Sequence, residues 1–232
     1  MTPPVPSRPP GFAGPALGPT RVLVDACTVL DSRLALYHRD ERWLAVADVH
    51  YGYELSQRAA GGLFPLWGMD SIETRLRALL EDYRPARLIV AGDFVHDRTA
   101  REPALALVRR LSEVNDGCEI VLVAGNHDRR AFSSDETCRF FVTDGFYFHH
   151  GDGAGPTATE LGRRTVIIGH HHPAGTLSDG AGTSIKLPAF VQTAEGPWVL
   201  PAFSPWAAGG GGGFGRGARR WLCGPKRILP PR

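Results

Sequence analysis

Trp43-Leu44-Ala45-Val46-Ala47-Asp48-Val49-His50 is a short unbroken apolar run that ends in a carboxylate and an imidazole. A run of this length without alternation is the pattern of a strand buried on both faces, as in a helix-covered parallel sheet. The construction recurs twice. Leu88-Ile89-Val90-Ala91 leads into Gly92-Asp93-Phe94-Val95-His96-Asp97, and Ile120-Val121-Leu122-Val123-Ala124 leads into Gly125-Asn126-His127-Asp128. Helical patterns lie between these runs. Ile72, Leu76, Leu79, Leu80 and Tyr83 keep a helical period after Asp70-Ser71, and Pro85 follows the stop. Leu105, Val108 and Leu111 share one face of a segment from Ala104 to Val114, which Asn115-Asp116-Gly117 ends. The alternation predicts βαβ units and a largely parallel sheet.

The flanks read as β. Val22-Leu23-Val24 and Leu34-Ala35-Leu36-Tyr37, separated by turn formers around Asp31-Ser32, predict a hairpin. Downstream, Arg139–Val142, Phe146–His149, Val166–Ile168, Ala189–Thr193 and Trp198–Leu200 are short β candidates with little helix between them, which predicts a second sheet packed on the first. The expected fold class is α/β, a two-sheet sandwich flanked by helices. Residues 1–20 contain seven prolines and read as a disordered leader. The domain is expected over 21–206. Residues 207–232 begin with a glycine-rich stretch, Gly209 to Gly213, and are expected to form a flexible basic tail.

The chain has 232 residues, enough for one sizeable domain, and is 43% hydrophobic and 22% charged, as globular proteins are. No run approaches the roughly 18 apolar residues of a membrane span. The N-terminal segment lacks a signal-peptide core, so a cytoplasmic setting with no membrane partner is expected. The four cysteines are scattered without a CxxC pair and read as free thiols. The net charge is +2, yet six of the cations lie between Ala207 and Arg232, where there is no acid, so the body of the chain is net acidic. An acidic body suits a bound cation, and a basic end suits a polyanion.

Of nine histidines only His38 lies outside five short blocks: the three above, His149-His150-Gly151-Asp152, and Gly169-His170-His171-His172. Each alone has an ordinary explanation as a turn or a surface tract. Together, each after a β run, they place oxygen and imidazole donors where strand ends of an α/β fold gather ligands, and this predicts a metal site.

The order D-x-H, G-D, G-N-H-D, H-G, G-H-x-H resembles the calcineurin-like metallophosphoesterase superfamily over roughly Trp43 to Pro173. The resemblance implies a two-sheet α/β sandwich that holds two divalent metals at strand ends. It implies Asp48, His50, Asp93 and His172 as ligands of one metal and Asp93, Asn126, His150 and His170 as ligands of the other, with Asp93 shared. His127 corresponds to the catalytic histidine. His150 is preferred to His149 because it precedes Gly151, and His171 is expected to point away. In such sites two metals share a hydroxide that attacks phosphorus, while a histidine stabilises charge or protonates the leaving oxygen. The mixed donor set favours Mn²⁺, with Fe²⁺ or Zn²⁺ as alternatives. Many members carry an acid three residues after the shared Asp to orient the catalytic histidine. Here that position is His96, which leaves Asp97 or Asp128 for the role.

Leu44 through Glu54, Ile168 through Pro173, Leu200-Pro201-Ala202-Phe203 and the early hairpin are similar to the SbcD-related, DNA-ligase-associated bacterial metallophosphoesterases. That likeness runs from about Arg21 to Phe203. It implies a Mn-dependent endonuclease or phosphodiesterase of DNA repair, acting on single strands or ends beside ligase, helicase or exonuclease partners. A phosphatase or cyclic-nucleotide phosphodiesterase acting on small molecules is the alternative, and a non-catalytic repair subunit the third. Tyr51, Tyr53 and Phe94 are candidates to stack on bases. Arg98, Arg129, Arg130 and the basic tail are candidates to hold phosphates. The apolar stretch Gly61 to Gly68 can serve as a substrate lip or a docking edge.

Overall fold

The computed structural model describes residues 15–207, 209–210 and 213–231. Two mixed sheets face each other across one hydrophobic core. The first has six strands in sequence order: β1 (Arg21–Leu23), β2 (Thr28–Asp31), β3 (Ala35–His38), β4 (Trp43–Val46), β5 (Arg87–Ala91) and β6 (Glu119–Val123). The meander β1–β4 is antiparallel, and β4, β5 and β6 are parallel. All four residues of β4 and all five of β5 are buried, as expected of apolar strands covered on both faces.

Helices α1 (Tyr53–Ala59), α2 (Trp67–Tyr83) and α3 (Arg101–Ser112) lie in the connections. The predicted face of α2 is the buried one, with Ile72, Leu76, Leu79, Leu80 and Tyr83 inside. The helix begins at Trp67, before the expected Asp70-Ser71 cap, and has no side-chain cap. In α3 the buried face is Ala104, Leu107 and Leu111, with Leu105 and Val108 packed partly against the core.

The second sheet runs β14-β13-β11-β12-β9-β8-β7, with β10 paired to β11. Its strands are β7 (Phe141–Val142), β8 (Phe146–Phe148), β9 (Thr165–Ile168), β10 (Ala174–Ser178), β11 (Ser184–Gln192), β12 (Trp198–Val199), β13 (Arg219–Gly224) and β14 (Arg227–Ile228). A short helix, α4 (Ala158–Leu161), precedes β9. The sheets meet through aromatic edges: Trp43 of β4 packs edge-on against Phe146 and Phe148 of β8 at 4.8 and 5.1 Å.

The early hairpin is a three-strand meander, because Thr28–Asp31 is itself a strand. Asp31 reads as a turn former, but here it is 1% exposed and held by Arg21, Arg33 and the Tyr83 hydroxyl. The expectation of a flexible tail from 207 does not hold. β13 pairs with β11, and Trp221, Leu222, Cys223 and Ile228 are buried. The first glycines of the run also have a packing role. Gly210 bridges Pro173, its N–H donating to the His172 carbonyl at 2.6 Å and its carbonyl accepting from Ala174. A side chain at Gly209 would collide with Ala174, so the absence of side chains is what admits this close pairing. Of the expected leader, residues 1–14 lie outside the described residues, and Pro19 accepts a hydrogen bond from the Ile228 N–H. All four cysteines are free thiols. Among the described residues no helix is long and apolar enough to cross a membrane.

Candidate metal centre

The five blocks converge beyond the carboxyl ends of the parallel strands. Past β4 and β5 the two chains stay hydrogen-bonded: Asp48 N–H donates to Gly92 O, His50 N–H to Asp93 O, and Tyr51 N–H to Phe94 O. The segment after β12 joins them, with Phe203 N–H on Ala47 O and Ser204 N–H on Asp48 O.

Among the described residues eight that are not glycine have positive φ, and five of them are Asp48 (52°), His50 (45°), Asp93 (49°), His170 (64°) and His172 (45°). Each such residue costs on the order of 1–3 kcal/mol, and strain of this kind persists where surrounding structure imposes it for function. The glycines beside them make room rather than merely turn the chain. A Cβ at Gly92 would run into the His150 ring, and one at Gly125 into the Asp93 carboxylate.

Two groups of potential ligand atoms result, each within 4.8 Å of one another: Asp48, His50 and His172, and Asp93, His150 and His170. Asn126 joins the second, its Oδ1 3.1 Å from His150 Nε2. The groups meet at Asp93, whose Oδ2 lies 3.2 Å from His150 Nε2 and 4.0 Å from His50 Nε2. All seven residues singled out as ligands are therefore brought together. His149 is directed elsewhere, into a cleft with Arg139 and Tyr147. His171 is exposed and packs edge-on against Phe214 at 6.1 Å.

The donor chemistry fits divalent cations. Asp48 and Asp93 are almost wholly buried, and the charged partners within 4.0 Å of them among the described residues are imidazoles. Burial drives the pKa of His50 down to about 3, so its ring is neutral at pH 7 and keeps a lone pair. Burial opposes ionisation of Asp93, but the hydrogen bond and charge of His150 and the His127 N–H outweigh it and hold Asp93 at about 2. His170 Nδ1 faces His150 Nε2 at 3.2 Å, and His50 Nδ1 is buried with no hydrogen-bond partner. Converging imidazoles and carboxylates without a balancing arginine or lysine suit a bound metal.

His127 lies beside both groups. Its ring is 4.9 Å from that of His50, and its backbone N–H donates to Asp93 Oδ1 at 3.0 Å. Its orienting partner is neither Asp97 nor Asp128. Nδ1 donates to the His96 backbone carbonyl at 2.5 Å, and because a carbonyl only accepts, Nδ1 carries the proton. Asp128 instead accepts the backbone N–H groups of Phe94, Val95 and Gly125, tying two loops together. Asp97 caps the short turn at Arg98–Ala100 through Thr99. The His96 ring joins His50 and His127 in a third cluster, and burial lowers its pKa.

Tyr51 and Phe94 do not reach solvent. They are 3% and 1% exposed, so neither can receive a base. Tyr53 does border the site, together with Ser204 and Trp206, which sequence reasoning passed over because they lie far along the chain after β12. Arg129 is paired with Asp152 at 2.7 Å, whereas exposed Arg130 borders a cleft with His96, Asn126 and His127. Arg98 lies in the turn after the second block and is exposed.

The geometry agrees with comparisons to known proteins. The crystal structure of Pseudomonas putida nuclease MPE is similar, with a TM-score of 0.69 and 29% identity, covering 90% of this chain and 98% of that one. A protein of unknown function from Aquifex aeolicus, AQ665, matches with a TM-score of 0.37 and 19% identity over 56% of this chain and 78% of its own. No curated protein matches the sequence. The family model of the calcineurin-like phosphoesterases matches residues 42–185, from the start of β4 into β11 and across all five blocks. The chain belongs to the calcineurin-like phosphoesterase family.

Proposed function

We propose that the protein is a Mn²⁺-dependent phosphodiesterase that cleaves DNA, most naturally single strands or ends, in DNA repair. The observation that carries this reading is the pair of carboxylate–imidazole groups joined at Asp93 with His127 alongside. Similarity to a nuclease over nearly that protein's whole length supports the choice of substrate.

Asp48, His50, Asp93 and His172 would hold one divalent ion, and Asp93, Asn126, His150 and His170 a second. Bound there, the ions supply Lewis-acid charge stabilisation and a nucleophile at neutral pH. The imidazole-rich donor set favours Mn²⁺ over Mg²⁺. The chain's own part is to position and to move a proton. The His96 carbonyl fixes the His127 ring through Nδ1–H, so Nε2 is the nitrogen that would carry the second proton of the protonated ring and give it to the leaving oxygen. Exposed Arg130, which borders the cleft with Asn126 and His127, would meet a flanking phosphate.

The test is purified protein with Mn²⁺ given single-stranded DNA, duplex DNA, bis-p-nitrophenyl phosphate and p-nitrophenyl phosphate. Cleavage of single-stranded DNA and the diester is expected. Turnover of the monoester alone would overturn the nuclease reading and favour a small-molecule phosphatase.

A further inference from the structure

The cleft above the imidazoles has a second wall that the phosphoester chemistry does not use. Its volume is about 280 Å³, and His50, His96, His127 and His172 share its lining with Tyr53 and Trp206. Tyr53 and Trp206 stack with ring centroids 6.0 Å apart and planes 25° apart. Phe64 and Trp67 pack against the other sides of Trp206 at 5.5 and 4.7 Å. Beyond them the apolar stretch stays open to solvent, with Trp67 50% and Leu63 fully exposed.

The position of Trp206 is fixed from two helices. Glu54 of α1 is wholly buried, and its carboxylate accepts the Trp206 Nε1–H at 3.1 Å and the Met69 N–H of α2 at 2.7 Å. Gly68 lies under the indole, and a Cβ there would collide with the Trp206 ring and with the Glu54 carboxylate. A buried carboxylate and a glycine on two different helices thus set one indole at the mouth of the candidate metal centre.

We propose that Tyr53 and Trp206 form a nucleobase subsite, in which the base next to the scissile phosphate stacks against this aromatic wall. The inference rests on the phosphodiesterase reading above and deepens it. A phosphodiester seated on the imidazole floor has a nucleoside on either side, and Tyr53 and Trp206 are half-buried aromatic residues that line the same cleft. Stacking on an aromatic face accepts any base, because each presents a π-face, so the subsite favours nucleic acid over other diesters without demanding a sequence. In a duplex the bases are already stacked on their neighbours, so the subsite also favours single strands.

The test compares a single-stranded oligodeoxynucleotide with one of the same length whose sugars carry no bases. Wild type with Mn²⁺ is expected to show a KM about ten-fold lower for the base-containing strand. Trp206→Leu is expected to lose that discrimination, and Trp206→Phe to retain most of it, which separates a lost stack from a misfolded site. Binding of both strands in Ca²⁺, followed by anisotropy, reads the same preference without turnover. Equal discrimination by wild type and Trp206→Leu, or no preference by wild type in the binding experiment, would overturn the subsite. If wild type prefers the base-containing strand in binding yet cleaves neither strand, the subsite stands and the nuclease reading falls.

Discussion

Two buried carboxylate clusters lie on the first sheet, one on β2 and the other beyond β4 and β5, and the chain treats them differently. At Asp31, on β2, every negative charge meets a positive one. Arg33 makes a two-point contact at 2.9 and 2.7 Å, Arg21 adds a third at 3.2 Å, and both arginines reach on to Asp82 of α2. At Asp48 and Asp93, beyond β4 and β5, the facing groups are imidazoles and backbone N–H groups. The first cluster is electrically complete within the chain and fastens the meander to a helix. The second is built on strained backbone and leaves its charge to be balanced from outside. Similar burial therefore serves structure in one place and ligand binding in the other, and the difference can be probed from both sides.

The largest effect is expected from Asp93→Asn, the residue the two ligand groups share. Turnover should fall by about a thousand-fold or more, because several kcal/mol of charge stabilisation depends on it. Metal analysis should show bound ions lost while circular dichroism stays native. Full activity in this variant would remove the distinction between the clusters. His127→Ala comes next, with kcat reduced by about a hundred- to ten-thousand-fold and metal content retained. Loss of metal would show that His127 is a ligand instead.

Asp31→Asn should do the reverse: metal content and kcat are retained while chemical denaturation reports a loss of about 3–5 kcal/mol, the usual cost of breaking a buried pair. Burial opposes ionisation of Asp31, but the hydrogen bonds and charge of Arg33, with the Tyr83 hydroxyl, outweigh it and lower its pKa. A lowered carboxylate pKa contributes stability that is present above the ordinary value and is lost as pH falls through the depressed one. The stability difference between wild type and Asp31→Asn should accordingly shrink on acidification below about pH 4. A difference that grows in acid would contradict the ionic reading. The smallest effect is expected from Asp97→Ala, which removes a turn cap worth about 1 kcal/mol. With the His96 carbonyl holding His127, kcat should stay within about two-fold, and a ten-fold fall would restore Asp97 as the orienting group.

The parallel strands and the five donor-bearing blocks were legible in residue type, as unbroken apolar runs with Asp, Asn and His at their ends, whereas the choice of seven donors within the blocks came from the resemblance to the family. The group that orients His127 was not legible, since a backbone carbonyl carries no signature in residue type. β2 was hidden because Asp31 and Ser32 read as turn formers, and only the arginines from elsewhere make a buried carboxylate tolerable in a strand. β13 was hidden by its neighbours. Arg219-Arg220-Trp221-Leu222-Cys223 is a plausible strand, but the preceding glycines dominate the composition of the segment. The Trp206 wall depends on a contact between residues 152 positions apart, Glu54 and Trp206, which no local pattern announces.

The central claim, that the histidine-faced cluster exists to hold two divalent cations, is tested most directly by metal stoichiometry at saturating Mn²⁺. The account predicts two ions per chain for wild type and for Asp31→Asn, and fewer than two for Asp93→Asn. One ion or none in wild type, or two ions undisturbed by Asp93→Asn, would contradict it.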